Sequence, residues 1–199
     1  TNIHQIPPDR VVNQETGAVR RYIKNDFSAY YDYCDFPLKD ADAEKIYNFP
    51  FPDPDNYDYD TAVALVDFLM KEGFSVYVGN AGTGDIINST GFVMGMEDAL
   101  VNIHMRDEAT LDMIDRRHDV QLAVLERLLE RTKGKIDFMF LGEDLGTQHT
   151  PIISHELYNE VLRPRHQRFI DLAKAYDLPP IIHTCGSSSW VYEDFIEMG

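Results

Sequence analysis

"KIDFMFLGED", residues 135–144, is the stretch on which the fold turns. An apolar run from Phe138 to Leu141 stands between Gly134 and Gly142, and its length and turn-forming flanks read as a strand. Before it, Leu111, Ile114, His118, Leu122, Leu125 and Leu129 recur at steps of three or four after Asp107, which predicts a long amphipathic helix stopped by Gly134. His118 lies on that stripe and reads as a packed residue. After it, Ser154 caps a helix expected over 155–176 that Pro164 should kink, since a proline inside a helix loses a hydrogen bond and clashes with the preceding turn. "PPIIHTCG", 179–186, is then a further strand, and "SSS" caps a last amphipathic segment, Trp190 to Met198.

Working further towards the N-terminus, a short helix is expected over 92–104 and "FSVYVGN", 74–80, reads as a strand. A helix opened by Asp60 carries Val63, Leu65, Val66, Leu69 and Met70 on its apolar face and ends before Gly73. Strand and helix therefore alternate from residue 60 onward, the pattern of parallel β/α units. Residues 1–59, rich in Pro, Tyr and Asp, lack a sustained period and read as irregular, ordered structure with short pieces of strand. The chain is thus expected to be α/β, divided at 59/60.

Bulk composition narrows the function. With 199 residues, 44% of them hydrophobic, the chain can bury a sizeable core. Its 34 acidic against 18 basic side chains leave a formal charge of −16, which disfavours nucleic acid and anionic membranes as partners. No run approaches the roughly 20 apolar residues of a membrane span, and "TNIHQIPPDR" lacks the basic start and apolar core of a leader. Two cysteines, Cys34 and Cys185, are too few for a disulfide framework, so a reducing, cytoplasmic setting is expected.

In β/α proteins the loops after the strands' C-terminal ends carry function. Three clusters sit there: Asn80 to Asp85, Glu143 to Gln148, and His183 to Cys185. The "AGTGD" loop lacks the Lys-Ser/Thr of a P-loop and reads as a strand-to-helix turn. Side chains alternate along a strand, so His183 and Cys185 share one side, roughly 6.5–7 Å apart along it, close enough to ligate one tetrahedral ion. Imidazole and thiolate suit zinc. Glu143 and Asp144 are adjacent, so only one faces inward; it is a further ligand, a general acid, or a clamp on a cationic substrate. Glu143 is the expected inward carboxylate, sharing a cavity with His183, while Asn80 and Gln148 are candidate substrate contacts. Arg163, Arg165, His166 and Arg168 form a basic cluster that reads as a solvated helix face or as a contact for substrate carboxylates.

"GEDLGTQ", "ISHELYNEVLRPRHQRFIDLAKAYDLPPIIHTCGS" and "IEMG" together resemble the uroporphyrinogen decarboxylase superfamily, in the branch containing corrinoid-linked and coenzyme M methyltransferases. The likeness covers residues 60–199, and "FPLKDADAEKIYNFPFPDPD" is similar to a stretch preceding the helices in less characterised members. It implies a (β/α)8 TIM barrel longer than this chain, so that these residues are an incomplete portion of it. It also implies zinc on a His-x-Cys pair, here His183 and Cys185, and a second, more distant cysteine that this sequence lacks. The expected activity is zinc-dependent methyl transfer to or from a corrinoid, small or tetrapyrrole-like in substrate, with a corrinoid protein as partner and homo-oligomerisation as a further expectation. The alternatives are metal-free decarboxylation of a porphyrinogen, although the Arg-Gln-Ala-Gly-Arg signature of that branch is absent, and a catalytically inactive binding module.

Overall fold

The computed structural model describes residues 7–13 and 16–199; the reading of the first six residues as lacking a leader lies outside the described residues. Two small sheets organise the chain. β1 (Arg10–Val12), β2 (Val19–Lys24) and β3 (Ala29–Asp35) form an antiparallel meander in that order. The turn between β2 and β3 is set by Asn25, whose side-chain oxygen accepts from the N–H groups of Phe27 and Ser28. The short pieces of strand expected here are present, and they pair into one sheet. The strands were hard to read because Tyr22, Tyr30 and Tyr31 stay exposed, so no apolar/polar alternation marks a buried face.

The second sheet is parallel, ordered β4 (Tyr77–Gly79), β5 (Phe138–Gly142) and β6 (Pro180–His183). All three strands fall within the stretches expected from sequence. Neither sheet is closed into a barrel, so the structure is mixed α/β and a full TIM barrel is not what it shows. On β5, Met139 and Leu141 are buried towards the helices, while Phe138 and Phe140 are only half-buried.

Between the sheets come α1 (Ala43–Tyr47) and α2 (Tyr59–Lys71). α2 is capped by Asp58, which accepts from Thr61 N–H, and not by Asp60, because the chain enters the helix two residues earlier than the apolar pattern suggests. Its buried residues are Tyr59 and Val66, whereas Leu65 and Met70 are exposed. The expected helix over 92–104 is two helices, α3 (Ile87–Met94) and α4 (Met96–Met105), parted at Gly95 with φ 94°. α5 (Glu108–Thr132) follows the Asp107 cap, which accepts at 2.8 Å from Thr110 N–H. Inside it His118 is fully buried, edge-on to Phe169 with ring centroids 5.0 Å apart, as the apolar stripe implied.

Pro164 has its effect one turn early. α6 (His155–Leu157), capped by Ser154, runs into a π-turn, Tyr158–Leu162, before α7 (Arg163–Ala175). The wider turn absorbs the ring's demand for space and places Pro164 at the start of α7, where its missing N–H costs least. A 3₁₀ turn, Ser189–Val191, leads to α8 (Tyr192–Met198), and no serine side chain caps either piece. No helix of the described residues is long and apolar enough to cross a membrane.

Candidate metal centre

The parallel pairing decides what gathers at the sheet's C-terminal end. Gly142 lies opposite His183, and the backbone continues the ladder one step as Glu143 N–H donates to the His183 carbonyl at 3.0 Å. Past this point the period of two separates the adjacent carboxylates. Glu143 continues the buried side of Met139 and Leu141, while Asp144 continues the open side of Phe138 and Phe140. His183 and Cys185 continue the exposed side of Ile181. The structure therefore brings Asp144, not Glu143, to the pair.

Asp144, His183 and Cys185 each offer one donor atom, and these atoms lie within 4.8 Å of one another. His183 Nε2 is 3.2 Å from Cys185 Sγ and 3.6 Å from Asp144 Oδ1. Asp144 is held in place by Cys185 N–H, which donates to Oδ1 at 3.0 Å, and by the Asn88 side-chain amide, which donates to Oδ2 at 3.0 Å. Burial works to raise the Asp144 pKa, but the Cys185 side chain and N–H, Asn88 and His183 outweigh it and hold the carboxyl below the usual carboxylate range. The same interaction with Asp144, helped by burial, raises the Cys185 thiol. Three donors of carboxylate, imidazole and sulfur type, turned to one point, fit a borderline-soft divalent cation such as zinc.

The loops bearing these donors are clasped together. Ser187 N–H donates to the Thr147 carbonyl at 2.7 Å, and Leu145 N–H to the Thr184 hydroxyl at 3.1 Å. Gly186, with φ 72°, passes so near Gly146 that a Cβ there would sit 2.2 Å from the Gly146 oxygen. No side chain fits.

Glu143 serves another purpose. Its carboxylate is almost wholly buried and accepts from Ile86 N–H at 2.6 Å and Ile87 N–H at 3.1 Å, satisfying free donors at the start of α3, which has no side-chain cap of its own. His166 Nε2 lies 3.3 Å from Glu143 Oε2, and Arg117 donates to the Asp85 carbonyl. Burial pushes Glu143 up to about 7 against the pull of the two N–H groups. Burial and the Glu143 charge push Asp85 to about 7 as well, and burial lowers His166 to about 4. Burial and the repulsion between the two carboxylates thus both favour protonation of this pair over full ionisation.

Of the other expected site residues, Asn80 braces its own loop, accepting from Gly82 N–H at 2.7 Å, and Gln148 stands exposed on the loop after β5. The "AGTGD" turn is fixed by Gln121, which donates to the Gly82 carbonyl and accepts from Gly84 N–H, both at 3.1 Å. The basic cluster is not a solvated face. Arg163 pairs with Asp194 and Glu197, Arg165 with Asp115 and Arg168 with Asp119. His166 is buried on the Leu162–Phe169–Ile170–Ala173 stripe, a helical spacing visible in the sequence. Asn88 and Arg117 carried no comparable signal, and Asp85, within the Asn80–Asp85 cluster, gave no sign of its closeness to Glu143.

Comparison of the chain with known protein families, with curated proteins and with solved structures finds no match.

Proposed function

We propose that the chain carries a zinc site on Asp144, His183 and Cys185, and that this site serves methyl transfer of the kind found in the corrinoid-linked branch of the uroporphyrinogen decarboxylase superfamily. The convergence of the three donors within 4.8 Å carries the reading. The parallel strands β4 to β6, with the donors at their C-terminal ends, are consistent with an open portion of a (β/α)8 barrel, where such loops carry the chemistry. When bound, zinc would supply Lewis acidity towards a substrate sulfur or water, and a corrinoid would carry the methyl group.

The remaining roles belong to the chain. Asn88 and Cys185 N–H fix the Asp144 carboxylate in one rotamer, so a ligand atom is preset before the cation arrives. The glycine clasp keeps the Asp144 and Cys185 loops in one register. Glu143, expected from sequence to face His183 but buried on the other side of the strand, is a positioning residue: it anchors the α3 start from which Asn88 reaches Asp144. With His183 and Cys185 both exposed, an incoming group has access to the open side.

The test is elemental analysis of the purified chain after zinc loading and gel filtration. Near-stoichiometric zinc that is lost in the His183→Ala/Cys185→Ala double variant supports the reading. Zinc retained by that variant, or none bound by the parent, removes it.

A further inference from the structure

The open side of the parallel sheet leads from the three donors onto an apolar strip. Side chains alternate along each strand, so Phe138, Phe140 and Asp144 share one side of β5, and Ile181, His183 and Cys185 continue that side on β6. Phe140 stands opposite Ile181, and Gly142 opposite His183. One step of two residues, roughly 6.5–7 Å, therefore leads from His183 to Ile181 and, across the ladder, to Phe140. A second step reaches Phe138, which is stacked on Tyr77 with centroids 4.9 Å apart, while Phe140 meets Tyr77 edge-on at 5.9 Å. Tyr77 and Ile181 keep 51% and 45% of their surface exposed, and both phenylalanines are half-buried, so an incoming molecule can rest on all four.

Charge at this end of the sheet has one sign. β4, β5 and β6, with the loops that follow them over residues 80–86, 143–154 and 184–188, contain three acids, Asp85, Glu143 and Asp144, and none of the chain's 18 Lys and Arg side chains. Asp85 and Glu143 lie in the core, which leaves Asp144 as the carboxylate beside the strip. With Asp144 and Cys185 both as anionic ligands, the charge of a divalent zinc is balanced before any substrate arrives. A sulfonate, carboxylate or phosphate laid on the strip would therefore lose hydration against apolar side chains and meet no cation, in a chain of formal charge −16. A ring there exchanges water for contact with Phe140, Ile181 and Tyr77, which is favourable.

We propose, resting on the zinc reading, that the thiol accepted at this site is an uncharged arylalkyl thiol, its sulfur on the metal and its ring laid on Phe140 and Ile181. On coordination the thiol proton leaves to solvent and the sulfur binds as thiolate. A metal–sulfur bond of about 2.3 Å and one methylene carry a ring about one two-residue step from the metal, the spacing between His183 and Ile181.

Cobalt(II) stands in for zinc in the test, because a bound thiolate gives it a charge-transfer band that reports coordination directly. The intact chain is loaded with cobalt, its metal content is measured, and phenylmethanethiol, ethanethiol and 2-mercaptoethanesulfonate are titrated without oxygen. Affinities are referred to the thiolate form and extrapolated to low protein concentration, so that no second copy of the chain rests on the strip. Phenylmethanethiol is expected to bind about tenfold or more tightly than either of the others, the gain from burying a ring. Ile181→Lys, at an exposed position, should shift the preference by about tenfold towards the sulfonate, and Phe140→Ala should bring phenylmethanethiol towards ethanethiol. Equal affinities, a parent chain that prefers the sulfonate, or a ring preference that survives in both folded variants overturns the proposal. A chain that takes up no cobalt removes the zinc reading and this one with it, whereas cobalt bound without the ring preference removes the substrate class alone. Should either variant not fold, the comparison of the three thiols on the parent chain decides.

Discussion

Asp144 and Glu143 show how one step along a strand separates two chemistries. Because Asp144 is preset by Asn88, replacing Asn88 with alanine should weaken zinc affinity by about 10-fold or more without removing a ligand, whereas Asp144→Ala should cost more; competition with a chromophoric chelator measures both. Glu143 and Asp85 make a different prediction. An acid whose folded pKa is raised contributes stability that is complete below its unfolded pKa and is lost as pH rises through the folded value. For Asp85, raised from 3.8 to about 7, the loss runs from about pH 4 to pH 7, and the part of it that falls between pH 6 and 8 amounts to about 1 kcal/mol. Asp85→Asn, which mimics the protonated form, should flatten the chemical-denaturation profile over that window. His166 acts in the opposite sense, losing stability as pH falls from 6.5 towards 4, so it does not mask the effect above neutrality. The His183–Cys185 spacing was legible in the sequence because it is a property of one strand. Which carboxylate joins it was not. Phe138 to Leu141 are all apolar, so nothing local marks the buried side, and the groups that settle it, Ile86, Ile87 and Asn88, lie 56 or 57 residues away.

Elements with a strong period and a cap were legible: α5 between Asp107 and Gly134, and the three parallel strands. Asp107 illustrates why, since its carboxylate meets both the N–H and the hydroxyl of Thr110, and Asp107→Ala should cost about 1 kcal/mol in thermal or urea denaturation. The N-terminal sheet and the π-turn were not legible, the first for want of alternation and the second because sequence marks the proline but not how the helix absorbs it. The loop clasp can be tested by comparing two glycines. Gly73 has φ 82° and open space within 4 Å of where an added Cβ would stand, while Gly186 has φ 72° and would bring its Cβ to 2.2 Å from a backbone oxygen. Gly73→Ala carries the strain of its backbone angle alone, about 1 kcal/mol, and Gly186→Ala should exceed it by about 2 kcal/mol through overpacking. Equal effects would mean that the clasp opens at little cost.

At the scale of the whole molecule, the parallel sheet is covered by helices on one side only. Tyr77 stacks on Phe138 and meets Phe140 edge-on, and Ile181, opposite Phe140, is also exposed. Parallel sheets are ordinarily buried on both faces, so this apolar side should draw the chains together. Sedimentation at micromolar concentration is expected to show self-association that Ile181→Lys together with Tyr77→Lys reverses; an unchanged monomer in both would argue against it. The Glu143 tether has a further consequence, for the order in which the ribosome delivers the parts. Ile86 leaves the exit tunnel 57 residues ahead of Glu143, an interval of about 3–11 s at 5–20 residues per second. Throughout that time the first turn of α3 lacks its acceptor, so a nascent chain stalled before Glu143 should leave the Ile86 and Ile87 amides fast to exchange, and one stalled well beyond it should protect them.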